Sequence, residues 1–186
     1  MRLEIRVAGF GGQGIIRAGL MLATAACIHG NKNAVETQSY GPESRGGACK
    51  SEVVVSDTEI DFPKVSKPDI LIVMSQEAYN QYVDTLEKRG TLLLDSDLIL
   101  KQKENIDIQV FEIPATKIAE ELGNTVVANV VMLGAFTSIT NLVEVEAMKK
   151  SILDNIPKKT EKLNLAAFEK GYEYGKLLQK KENVRN

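Results

Sequence analysis

Apolar and polar positions alternate from the start of the chain. Leu3, Ile5 and Val7 are separated by Glu4 and Arg6, the period of a strand with a buried face and a polar one, and the run ends in Ala8-Gly9. The period then changes. Ile15, Ile16, Gly19, Leu20, Leu22, Ala23 and Ala26 recur at helical spacing, and His29-Gly30-Asn31 supplies a stop, because Gly and Asn accept the left-handed cap conformation. A short strand is expected around Ala34–Gln38, completing a strand–helix–strand unit that implies parallel strands. Cys49–Ser56 reads as a further strand, Asp57-Thr58-Glu59 as a turn, and Ile60–Phe62 as a strand pairing back in a hairpin.

Pro63 and Pro68 bracket a connection to Ile70–Met74, an apolar run of buried-strand type. Gln76–Leu86 has helical character, Thr91–Leu94 and Gln109–Ile113 are strand candidates, and helices are expected at Ala115–Leu122, Thr125–Thr140, Val143–Asp154 and Asn164–Lys181. The segment Thr125–Thr140 is apolar nearly all round, the mark of a helix buried on every side, in which Asn129 and Gly134 would supply one internal hydrogen bond and one close approach. No repeat or linker divides residues 1–186. The pattern predicts one α/β domain with three layers, α/β/α, and a mostly parallel Rossmann-like sheet carrying an inserted antiparallel hairpin.

Composition narrows the function classes. The 186 residues are 44% hydrophobic and 26% charged, ordinary for a folded domain, and the formal net charge of −2 makes no electrostatic case for nucleic acid or an anionic membrane. The longest apolar stretch, Val126 to Ile139, is interrupted by Asn129 and falls short of the roughly 20 residues of a membrane span. The N-terminus runs straight into a strand, so no signal peptide is expected and a cytoplasmic location is. Two cysteines, Cys27 and Cys49, are too few for an iron–sulfur cluster held by this chain alone. Cys27 is expected in the core, and Cys49, after a glycine-rich loop, is the more exposed to chemistry. His29, at a helix C-terminus, is not a catalytic base. Tyr79, Tyr82, Tyr172 and Tyr174 are candidate surface anchors for a partner.

Two loops carry the candidate chemistry. Gly9-Phe10-Gly11-Gly12-Gln13-Gly14 satisfies G-x-G-x-x-G between a strand and a helix, where glycines admit positive φ and the helix N-terminus offers free N–H groups to an anion. It reads in three ways: as a nucleotide site, as tight strand-to-helix packing alone, or as a seat for a pyrophosphate of coenzyme A or of another subunit's cofactor. The nucleotide reading wants an acid at the tip of the second strand. Glu36 is at about the right distance but falls inside the strand. Gln13 is a contact for a partner or ligand, or a helix cap; Arg17, in the first turn, could reinforce an anion at the glycine loop, but reads first as a solvated helix arginine. The second loop, Thr37 to Gly47, contains Ser39, Tyr40, Gly41, Arg45, Gly46 and Gly47. It should leave the same sheet edge as the first, with Arg45 able to fork onto a carboxylate or phosphate. A local salt bridge from Arg45 to Glu43 or Glu52 is the alternative.

At these residues the sequence resembles a family. GFGGQG at 9–14, QSYGPESRGG at 38–47, SEVVVSDTEID at 51–61, KPDILIVMSQEAY at 67–79, ANVVMLGA at 128–135 and LNLAAFEKGYEYG at 163–175 are similar, in order, to the gamma subunit of 2-oxoacid:ferredoxin oxidoreductases. The SYGPESRGG form is most like the 2-oxoglutarate type. The resemblance implies a complex that decarboxylates a 2-oxoacid on thiamine diphosphate with Mg, passes electrons through iron–sulfur clusters to ferredoxin, and forms an acyl-coenzyme A. Alpha and beta subunits, and a ferredoxin-like delta subunit, are its implied partners. The chain shows no GDG…NN pattern for the thiamine cofactor, so neither catalytic residues nor a metal site are expected on it. Gly11, Gly12, Gln13, Gly14, Ser39, Tyr40, Gly41, Arg45, Gly46 and Gly47 are its candidate contacts to coenzyme A or to a partner subunit. A stand-alone nucleotide-dependent oxidoreductase and a purely structural subunit are the alternatives.

Overall fold

The computed structural model describes residues 1–39, 48–104 and 107–183. Strand β1 (Arg2–Phe10) leads into helix α1 (Ile15–Cys27), followed by β2 (Asn33–Gln38) and β3 (Ala48–Ser56). Then come β4 (Ile70–Val73), α2 (Gln76–Tyr82), β5 (Thr91–Asp95), β6 (Gln109–Ile113) and α3 (Ala115–Glu121). Three helices close the chain: α4 (Ala128–Thr140), α5 (Val145–Asp154) and α6 (Glu161–Asn183). The six strands form one sheet in the order β2-β3-β1-β4-β5-β6.

The α/β expectation holds, and the sheet is mixed. Pairs β1–β4, β4–β5 and β5–β6 are parallel, whereas β3 runs antiparallel to both β1 and β2. The antiparallel insertion is therefore β3 alone, lying between β1 and β2. The expected hairpin of β3 with Ile60–Phe62 does not form; Ile60–Phe62 is irregular. Instead β3 pairs back on β2, and β1 and β2 point the same way without touching.

Alternation along the strands feeds two cores of unequal size. Ile70 and Ile72 of β4, Leu93 of β5 and Val53 and Val55 of β3 face a large core shared with α1, α3, α4, α5 and α6. Leu71, Val73, Leu92 and Leu94 point to the opposite face, which α2 covers with Ala78, Tyr79 and Tyr82. Covering that second face corrects three expectations. Tyr79 and Tyr82 are core residues rather than surface anchors, and Tyr172 and Tyr174 are half-buried. Arg6, read as part of a polar strand face, is buried under the Tyr82 ring, 5.2 Å from its centroid. Its Nε and a terminal nitrogen reach Glu52 Oε1 at 2.7 and 2.6 Å, and its other terminal nitrogen donates to the Thr85 hydroxyl. Such a buried cation stands only because each of its three nitrogens finds an acceptor.

Helix α4 is buried around its circumference, as its uniform apolarity predicts, and packs closely along α6. Glycines on both helices make the approach possible: a Cβ on Gly134 would meet the Phe168 carbonyl, and one on Gly171 the Val131 carbonyl.

Candidate functional site

The carboxyl ends of β1, β2, β4, β5 and β6 share one edge of the sheet. The glycine loop leaves that edge from β1 and turns into α1. Gly12 has φ 97° and Gly14 φ 72°, the left-handed region, and Gly14 is the N-cap of α1. Its carbonyl accepts both from Ala18 N, at 2.9 Å, and from Asn129 Nδ2 of α4, at 3.1 Å. A Cβ on Gly14 would lie 2.5 Å from that same Nδ2. Glycine is thus required at 14 by conformation and by contact.

Gln13 neither caps the helix nor is its carboxamide free. Its Oε1 accepts from Phe10 N at 2.6 Å, and its Nε2 donates to the Met74 carbonyl at 2.7 Å. The side chain thereby bridges the carboxyl ends of β1 and β4. These two neighbours send their connections in opposite directions, β1 toward β2 and β4 toward β5, which makes the crevice between them the topological switch point where open α/β sheets receive ligands. Here the chain's own glutamine spans it, beside a cavity of about 310 Å³ that Gln13, Met74, Leu98 and Thr116 help to line. Gly9 makes room, since a Cβ there would collide with Gln13 Oε1.

Glu36 is no ribose ligand either. It sits within β2, and its carboxylate takes hydrogen bonds from Ser51 Oγ at 2.6 Å and Gln38 Nε2 at 2.9 Å. The acid that a dinucleotide site needs is therefore committed to the fold, and Gln13 is committed to bridging β1 and β4.

A cleft of about 880 Å³ opens beside the loop instead. Gly11, Gly12 and Gly14 form its head with the first turn of α1, which carries no acidic residue. Ile16, Leu20, Met21, Val130, Ile156 and Leu163 line it with aliphatic surface, and Asn124, Asn129, Asn155 and Asn164 contribute amides. Arg17 is the one charged lining residue among the described residues; it is exposed and forms no ion pair with them. Leu20, read as part of the buried helix face, is 40% exposed and belongs to this cleft.

The sequence-predicted site residues divide accordingly. Gly11, Gly12 and Gly14 come together in the cleft, and Gln13 lies behind them at the switch point. Ser39 is half-buried and donates its N–H to the Lys50 carbonyl, extending the β2–β3 ladder by one bond. Tyr40, Gly41, Arg45, Gly46 and Gly47 lie outside the described residues. The residues that flank this loop, Gln38 and Cys49, both line the cleft. Cys49 is buried, while Cys27 is exposed, a correction to its placement in the core. His29 pairs with Asp154 at 2.7 Å. Sequence reading picked out Arg17 beside the glycine loop and Asn129, polar within an apolar helix, but missed Asn124, Asn155 and Asn164, which are scattered over α6 and the connections between helices.

A second residue without a sequence signal is Asp95, fully buried at the carboxyl end of β5. It accepts from Asp97 N, Thr116 N and Thr116 Oγ1, the last at 2.6 Å, and so ties β5 to α3. Burial pushes its carboxyl above the usual range, against the pull of the Thr116 hydrogen bonds.

Among the described residues no three His, Cys, Asp or Glu side chains converge as metal ligands. No helix there is long and apolar enough to cross a membrane.

Comparison with known proteins agrees with this picture of a subunit. Residues 4–174 match the model of the pyruvate ferredoxin/flavodoxin oxidoreductase family. The chain is 57% identical to the 2-oxoglutarate synthase subunit KorC of Methanocaldococcus jannaschii, over 96% of each chain. Among solved structures it resembles the gamma subunit of a keto/oxoacid ferredoxin oxidoreductase from Geobacter sulfurreducens (TM-score 0.87, 41% identity, 94% of this chain and 97% of that one). It also resembles a 2-oxoglutarate:ferredoxin oxidoreductase from Magnetococcus marinus, solved with 2-oxoglutarate, coenzyme A and succinyl-CoA bound (TM-score 0.85, 26% identity), of which it covers 31%. With a family match across nearly its whole length, the chain belongs to the pyruvate ferredoxin/flavodoxin oxidoreductase family, in the company of its separate gamma subunits.

Proposed function

We propose that the chain is the gamma subunit of a 2-oxoglutarate:ferredoxin oxidoreductase and that its cleft receives coenzyme A for partner chains that carry out the oxidation. The identity to a 2-oxoglutarate synthase subunit supports the oxoacid. The whole complex, with alpha and beta subunits and a ferredoxin-like delta subunit, supplies thiamine diphosphate and the clusters; this chain supplies binding surface. The observation that carries the coenzyme A reading is the cleft itself. It offers the open N-terminus of a 13-residue helix, an unpaired arginine in the first turn and no carboxylate among its described lining residues, above an aliphatic and amide-bearing floor. Phosphates suit the head of such a cleft, and a long amide-containing arm suits its floor. The relative from Magnetococcus marinus is described with coenzyme A bound.

Arg17→Ala tests this in the assembled complex. Loss of a charge-assisted contact, about 1.5–3 kcal/mol, should raise the Michaelis constant for coenzyme A about 10- to 150-fold. The 2-oxoacid constant and assembly should not change. If Arg17→Ala leaves coenzyme A kinetics intact but weakens assembly, the cleft is an interface with another subunit, and the purely structural reading replaces this one.

A further inference from the structure

Asn129 occupies an unusual position at the head of the cleft. It is 5% exposed, and one end of its carboxamide is committed: Nδ2 donates to the Gly14 carbonyl. That acceptor fixes the orientation of the group, so the other end is the oxygen. Oδ1 accepts no hydrogen bond from any described residue. Since no buried side-chain nitrogen or oxygen among them is left without a partner, Oδ1 opens onto the cleft that Asn129 lines.

This acceptor stands beside the first turn of α1, where the N–H groups of Ile15, Ile16 and Arg17 have no intrahelical partner. An anion is favoured at those donors, whereas the neighbouring amide oxygen disfavours a bare one. The two demands are met together by an anion that carries a donor next to it. We propose that Asn129 contacts the ligand directly, accepting a hydrogen bond from a hydroxyl that flanks the ligand's phosphate, so that the cleft recognises a hydroxyl-flanked phosphate ester over free phosphate. The inference rests on the coenzyme A reading and sharpens it. Coenzyme A offers such a group twice, as the ribose 2′-hydroxyl beside the 3′-phosphate and as the pantoyl hydroxyl near the phosphate of the pantetheine arm.

The full chain is titrated with adenosine 3′,5′-bisphosphate, 4′-phosphopantetheine and inorganic phosphate, following the backbone amides of Gly14 and Ile15 and the Asn129 carboxamide by NMR. The same titrations are run with 2′-deoxyadenosine 3′,5′-bisphosphate and with phosphopantetheine lacking the pantoyl hydroxyl. One hydroxylated fragment is expected to shift all three signals, which identifies the source of the phosphate, and its deoxy counterpart to bind about 2- to 10-fold more weakly. Inorganic phosphate should bind more weakly still. In Asn129→Ala, which removes the acceptor, the hydroxylated and deoxy forms should bind alike. Should that variant fail to fold, the wild-type ratio and the Asn129 signal decide by themselves. Equal binding of the two forms by the wild type, an unmoved Asn129 carboxamide, or no binding of either fragment overturns the inference. Coenzyme A binding at the cleft with a ratio of one removes this inference alone. Absence of any coenzyme A effect at the cleft, in chain and complex alike, removes the proposed function as well.

Discussion

Gln13 decides how the glycine loop is read. By pattern the loop is a dinucleotide fingerprint; by contact its glutamine ties β1 to β4 across the switch point with two hydrogen bonds. Gln13→Ala should leave Phe10 N–H and the Met74 carbonyl without partners and cost about 1–3 kcal/mol of stability in denaturant titration. A variant as stable as the wild type would show that the bridge contributes nothing. Asp95 makes a prediction of unusual sign. Its folded-state pKa is raised above 3.8 by burial, so the folded chain holds this proton longer than the unfolded chain does, and stability from this group falls as pH rises through the two values. Asp95→Asn removes that slope. Stabilities measured at about pH 3 and about pH 6 should therefore move against the wild type, relative to the variant, on going to the higher pH. A difference independent of pH would mean that Asp95 titrates alike in both states.

Among the elements, the α4–α6 contact offers the sharpest test of packing against propensity. Gly→Ala inside an exposed helix stabilises by about 1 kcal/mol. Gly171 lies within α6 where a Cβ would enter the Val131 carbonyl of α4. Gly171→Ala is therefore expected to reverse the sign and cost about 1–3 kcal/mol, read as a lower Tm. A raised Tm would mean that the two helices part without cost. Elements also show where sequence reading succeeded. Elements with a nearly continuous apolar run, such as α4 and β4, fell where the pattern put them, because the core imposes that pattern. The β3 partner did not. Cys49–Ser56 is read correctly as a strand, but nothing in its residues says that it lies between β1 and β2, since pairing depends on contacts distant in sequence. Arg6 misleads for the same reason: it looks like a solvent-facing strand residue until Glu52, considered in sequence only as a partner for Arg45, is brought beside it.

For the molecule as a whole, two cysteines are too few for a cluster held by this chain alone, and the oxidation is assigned above to partner chains. The purified chain should therefore reduce no dye in the presence of 2-oxoglutarate and show no iron–sulfur absorbance. Activity from the chain alone would sink the assignment of the chemistry to partner subunits. The family was legible from motifs spread over the full length. The cleft was not, because it is assembled from α1, the approach to α4 and the approach to α6, and each supplies residues that are unremarkable in isolation.

The position of β3 has a consequence for how such subunits can diversify. Gln38 and Ser51 are paired neighbours on adjacent strands, as are Phe10 and Ala48, so the connection spanning 40–47 begins and ends on a fixed part of the sheet. Strands there lie about 5 Å apart whatever joins them. Lengthening a loop between fixed ends is thermodynamically mild, since each doubling costs about 0.6 kcal/mol. Evolution can thus rewrite this connection, in length as in residue type, while the β2–β3 ladder holds its register.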